Sequence, residues 1–142
     1  MAFVNERIPD EEKEQFKDLS RWKNPVTGRQ IEIFMWTIDR ERDVFLIRLG
    51  GYGRRKGMPD YFVLSWHGEM IEIDACGENS GNAEKGVVVF WDIANVVIPR
   101  SLEAKSTEVI ELVKEAMDAR GWIFNRDVVK EVHFEIERII FI

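Results

Sequence analysis

Five short runs of β-branched and aromatic residues follow one another between Gln30 and Trp91, each bounded by polar or glycine-bearing stretches. Runs this short and this rich in Ile, Val, Phe and Trp fit strands better than core helices. Gln30 to Ile38 is apolar on both faces, which predicts a central strand covered on two sides. The charged stretch Asp39-Arg40-Glu41-Arg42-Asp43 then joins it to Val44–Leu49, and the pair reads as a hairpin. Tyr61–Trp66 turns through His67-Gly68 into Met70–Asp74, a second hairpin. Cys76 to Gly86 reads as a polar loop, followed by a buried strand over Val87–Trp91.

The period changes after Pro99. Val109, Ile110, Val113, Ala116 and Met117 lie on one helical stripe, with Glu108, Glu111, Lys114, Glu115 and Asp118 off it, so Ser101 to Arg120 is a helix. Ser101 or Ser106 is a candidate N-cap, and Gly121 a C-terminal cap that frees Trp122 to pack back. Val132, Phe134 and Ile136 next alternate with Glu131, His133, Glu135 and Glu137, the pattern of a half-exposed strand. It runs into Ile139-Ile140-Phe141-Ile142, whose apolarity places the last residues inside the sheet. At the other end, Phe3–Ile8 reads as a short strand, and Pro9 opens a short helix with Asp10, Glu11 and Glu12 in its first turn.

Strands in succession, then a helix and a returning strand, predict a single α+β domain over residues 1–142. Its expected core is an antiparallel sheet of about six strands built from hairpins, with one long C-terminal-half helix packed on a face.

With 142 residues and 45% hydrophobic side chains, the chain is long enough for one packed core. Its 26 Asp+Glu outnumber 20 Lys+Arg, for a net charge of -6, which argues against general nucleic-acid binding. A lone cysteine, Cys76, cannot form an internal disulfide. No apolar run reaches the ~18 residues of a membrane-spanning helix, and the acidic start lacks a signal-peptide pattern. The expectation is a cytoplasmic protein with no membrane contact.

The loop Gly50 to Gly57 is the most suggestive stretch for a site. Its glycines allow close backbone approach, and Arg54, Arg55 and Lys56 can hold a phosphate or carboxylate. Tyr52 and the arginines are equally suited to a protein contact. The glycine spacing matches neither the phosphate-binding loop of nucleotide hydrolases nor the dinucleotide fingerprint.

Histidine occurs twice, as His67-Gly68-Glu69 and His133-Phe134-Glu135. His133 and Glu135 would share a strand face, but a zinc site needs three or four ligands. No metal or cofactor is expected. Cys76 is the one possible thiol nucleophile, with His67 a possible base across the hairpin, yet its surroundings match no protease motif. Ser80 in Gly77–Gly81 stands one place off a nucleophile elbow. The alternating charges of Asp39–Asp43 suit cross-strand ion pairs. Trp36, Trp66, Trp91 and Trp122 are expected in the core, while Trp22, between Arg21 and Lys23, is a candidate surface anchor.

The segment Trp36-Thr37-Ile38-Asp39-Arg40-Glu41-Arg42-Asp43-Val44-Phe45-Leu46 resembles a signature of small acidic bacterial proteins of unassigned function. Phe3–Ile8 and the Ser101–Gly121 helix resemble the same group, and the likeness runs in order through about two thirds of the chain. The resemblance implies a bacterial cytoplasmic protein and supplies no catalytic residues. The Arg54-Arg55-Lys56 run has no place in the group's pattern.

Two functional readings follow. One is a non-enzymatic module that binds a protein partner of basic character, as an inhibitor or immunity-type protein does. The other is a small enzyme or anion-binding protein that uses the Gly50–Gly57 loop with His67. A homo-oligomer is compatible with both, because edge strands need covering.

Overall fold

The computed structural model describes residues 2–19, 35–50, 60–123 and 128–142. The chain runs through β1 (Val4–Arg7), a one-turn helix α1 (Asp10–Lys13) with a 3-10 segment (Glu14–Leu19), β2 (Met35–Asp39), β3 (Val44–Gly50) and β4 (Asp60–Trp66). It continues through β5 (Glu69–Asn82), β6 (Gly86–Ile98), a 3-10 segment (Arg100–Lys105), α2 (Ser106–Gly121), β7 (Val129–Ile136) and β8 (Ile139–Phe141). The α+β class and the long helix packed on the sheet are as expected.

The sheet has eight strands rather than about six, in the order β1-β2-β3-β4-β5-β6-β7, with β8 beside β6. It is not wholly antiparallel. The first six strands form an antiparallel meander, but β7 and β8 run parallel to β6. A hairpin can only reverse direction, whereas α2 carries the chain back along β6 before β7 begins. The segment β6–α2–β7 is therefore a strand–helix–strand unit.

Local chemistry explains the turns. His67 and Gly68 both take positive φ, 53° and 72°, as a tight two-residue hairpin of primed type requires. The Cys76–Gly86 stretch is not a loop. Its polar residues continue β5 as far as Asn82, paired with β6 from Cys76↔Asp92 to Asn82↔Gly86. Here cross-strand pairing outweighs turn-like composition.

One sheet face packs against α2. Val44, Leu46, Phe62, Leu64, Ile71, Ile73, Trp91 and Ile93 meet Val109, Val113, Ala116 and Met117 there in the main core. On the other face, Trp36, Ile38, Ile47, Leu49, Tyr61 and Val63 form a second cluster with Ile8 and Phe16 from the N-terminal segment. The apolar residues on both sides of β2–β4 follow from being covered twice. No helix among the described residues is long and apolar enough to cross a membrane.

Helix ends differ from expectation. Lys105 occupies the N-cap of α2 and no side chain caps it, so neither Ser101 nor Ser106 has that role. Gly121 is the last helical residue, and the following Trp122 is right-handed. Close packing, not a left-handed cap, requires glycine there: a Cβ on Gly121 would lie 2.7 Å from Val132 Cγ1. Trp36, Trp66 and Trp91 are buried as expected, but Trp122 is 37% exposed. The last residues are held by backbone, Ile142 donating to the carbonyl of Ile98 and accepting from Arg100. The side chains of Ile139 and Ile142 nonetheless face solvent.

The charged turn Asp39–Asp43 ties the sheet together. Arg40 makes two hydrogen bonds to Glu6 of β1, at 2.8 and 2.6 Å. Arg42 donates from Nε to the buried Asp39 at 2.6 Å and from Nη2 to Glu115 of α2. Its guanidinium also lies over the Phe3 ring, 5.4 Å from the centroid.

Candidate functional site

Strand register decides which side chains share the outer face, away from α2. In β5 the outward positions are Met70, Glu72, Asp74, Cys76, Glu78 and Ser80, since Ile71, Ile73 and Ala75 point into the core. Pairing places Asp92 beside Cys76, Phe90 beside Glu78 and Asn95 beside Asp74. The parallel pairing to β7 then sets His133 beside Phe90, Glu135 beside Asp92 and Glu131 beside Val88. Two rows result, Cys76–Asp92–Glu135 and Glu78–Phe90–His133, with successive strands about 4.8 Å apart.

This half of the outer face carries Glu72, Asp74, Glu78, Asp92, Glu131 and Glu135, against one described cation, Lys130, the exposed bulge residue of β7 beside Glu131. None of those residues is buried. The β2–β4 half of the same face is apolar and covered by Ile8 and Phe16. The sheet therefore changes from a packed surface to an acidic one at β5. Partly exposed Phe90, Val88 and Val97 are interleaved with the carboxylates. An aromatic residue among like charges on rigid, paired strands is suited to a protein contact.

The titratable groups show the field this produces. Burial pushes the half-buried Cys76 thiol upward, and Asp92, Asp60, Glu78 and Glu137 push it further. The thiol is held in its neutral form, which makes it a poor nucleophile. His67 lies at the start of β5 and Cys76 seven residues beyond Glu69, about 24 Å along the strand. The two do not form a thiol–base pair. His133 Nε2 meets Glu131, 2.8 Å away, instead of sharing a ligand with Glu135. That hydrogen bond is the main cause lowering the Glu131 carboxyl below its usual range. No group of three or more His, Cys, Asp or Glu among the described residues could hold a metal ion.

Of the residues singled out in the sequence, Trp22, Tyr52, Arg54, Arg55 and Lys56 lie outside the described residues. His67 is exposed on the β4–β5 turn, its ring 4.3 Å from that of Trp66 between centroids. No family model, no curated protein and no solved structure matches the chain.

Sequence reasoning passed over the acidic surface because its members come from three strands, and alternation within a strand does not reveal its neighbours. It also passed over Arg48 and Arg120. Signals for both exist. Arg48 occupies an inward position two residues after Leu46 on β3, and Arg120 continues the buried stripe of Ala116 and Met117. A charge on a core-facing position is the observation that would have found them.

Proposed function

We propose that the chain is a cytoplasmic, non-enzymatic protein-binding module of the inhibitor or immunity type, and that it engages a basic partner through the outer surface of β5–β7. The observation that carries this reading is the switch at β5 from an apolar face covered by Ile8 and Phe16 to a partly exposed, predominantly acidic one. Carboxylates at fixed positions on paired strands need little ordering on association, which favours affinity. Their common sign steers a cationic surface toward them and repels acidic competitors. Phe90, flanked by Glu78 and His133, supplies apolar area at the centre.

The test is comparative capture from a bacterial lysate at moderate salt. Tagged wild-type protein is run beside Glu78→Lys with Glu135→Lys, two exposed positions on the acidic surface. Glu41→Lys with Glu111→Lys changes the net charge equally on exposed positions elsewhere and serves as the control. The reading expects one basic protein in near-stoichiometric amount with wild type and control, and its loss with the β5/β7 variant. Equal recovery by all three, or none by any, would remove the reading.

A further inference from the structure

At the end of the sheet where β3 stops and β4 begins, two arginines converge on the α2 side. Arg48 projects inward from β3, next to Phe62 of β4 in the register. Arg120, on the last turn of α2, lies over the Phe62 ring with its guanidinium carbon 5.8 Å from the centroid. Phe62 is itself buried, so one side of that guanidinium is closed to water. Asp60 binds Arg48 Nη2 at 2.9 Å.

Among the described residues the charges at this place do not balance: two guanidinium groups share one carboxylate, and Arg48 Nε and Arg120 Nη1 are buried with no hydrogen-bond partner. Burial and the nearby Arg48 lower Arg120 to about 10, opposed by Asp60, which leaves it protonated at neutral pH. A buried charged donor without an acceptor is among the costliest arrangements in a folded protein. The nine residues joining Gly50 to Asp60 include three cations and no carboxylate.

We propose that Arg48 and Arg120 form a binding site for a small oxyanion, the phosphate or carboxylate group of a ligand, with Asp60 as the positioning residue that orients Arg48. Free donors on two planar guanidinium groups match the several acceptor oxygens of such a group. The site lies on the α2 side of the sheet, so it stands or falls independently of the acidic outer surface.

The experiment is thermal unfolding with isothermal titration, using inorganic phosphate and malonate as separate probes against sodium chloride at matched ionic strength. A specific anion is expected to raise Tm by about 5 °C or more at a hundred times its Kd. A response to phosphate alone assigns a phosphate-bearing ligand, and a response to malonate alone a carboxylate-bearing one. Responses to both assign an oxyanion site that does not discriminate.

Arg120→Met should abolish the response and, by removing an unpaired buried charge, raise the anion-free Tm. An arginine with only a structural role would instead give a lower Tm. Arg48→Lys, at a more exposed position, keeps the charge without the fork and should weaken binding about tenfold. No shift with either probe, or an equal shift in wild type and in a folded Arg48→Lys, would overturn the proposal.

Discussion

The Trp91 indole donates from Nε1 to the carbonyl oxygen of Met117 across 2.9 Å, joining β6 to α2 inside the core. Trp91 is 1% exposed and meets Phe62 edge-on at 5.6 Å between ring centroids. Gly121 and Gly77 both stand against its indole, so this one side chain sets how closely the helix and β5 approach. Trp91→Phe removes the hydrogen bond and leaves a cavity. The expected loss is about 3 kcal/mol, read as a lower urea midpoint with an unchanged slope.

Glycine at two positions is a packing requirement. In an open helix, Gly121→Ala would stabilise by about 1 kcal/mol. Here the new methyl would meet Val132 Cγ1 at 2.7 Å, and overpacking of that kind costs about 1–3 kcal/mol. The net effect is destabilising. Gly77→Ala would bring a Cβ to 2.7 Å from the Trp91 ring, with the same sign expected. Denaturant unfolding of both variants checks this, and a gain in stability for Gly121→Ala would mean the helix end sits further from β7.

Acid should weaken the β2–β3 turn. Asp39 is held below its ordinary 3.8, first by the hydrogen bond from the Arg42 side chain, with burial acting the other way. A carboxyl whose folded value is depressed stabilises the fold in full above its unfolded value. That contribution is lost as pH falls through the folded value. Wild type should therefore exceed Asp39→Asn in stability near neutral pH, with the gap closing below about pH 4. Asp118 works in the opposite sense, because burial raises its carboxyl. Asp118→Asn should leave stability at pH 7 unchanged or higher. Urea unfolding of the three proteins at acid and neutral pH measures both effects.

Much of the fold is readable where side-chain period and burial agree. Val132, Phe134 and Ile136 alternate with Glu131, His133 and Glu135 in the sequence, and β7 packs the first set, partly buried, against the core and exposes the other. The same alternation is silent about direction, and β7's parallel pairing to β6 depends on the path of α2 between them. Gly77-Glu78-Asn79-Ser80-Gly81-Asn82 has the composition of a loop, yet β6 lies alongside to pair it. Local propensity is a weak signal against a ladder of backbone hydrogen bonds. The candidate surface was the least legible part. Asp92 and Glu135 are 43 residues apart in sequence and become neighbours only through register. Arg48 and Arg120 come to lie by Phe62 for a similar reason, one from a strand and one from a helix end.

The central claim, that the β5–β7 surface binds a basic partner, is tested most directly by affinity. The captured partner, once purified, is titrated against wild type, Glu78→Lys with Glu135→Lys, and Phe90→Ala across a range of salt. The account predicts wild-type binding that weakens steeply as salt rises, and at least a tenfold loss for each variant at low salt. It also predicts a flatter salt dependence for the charge-reversed protein. Equal affinity for all three proteins at every salt concentration would contradict it and place the contact elsewhere on the molecule.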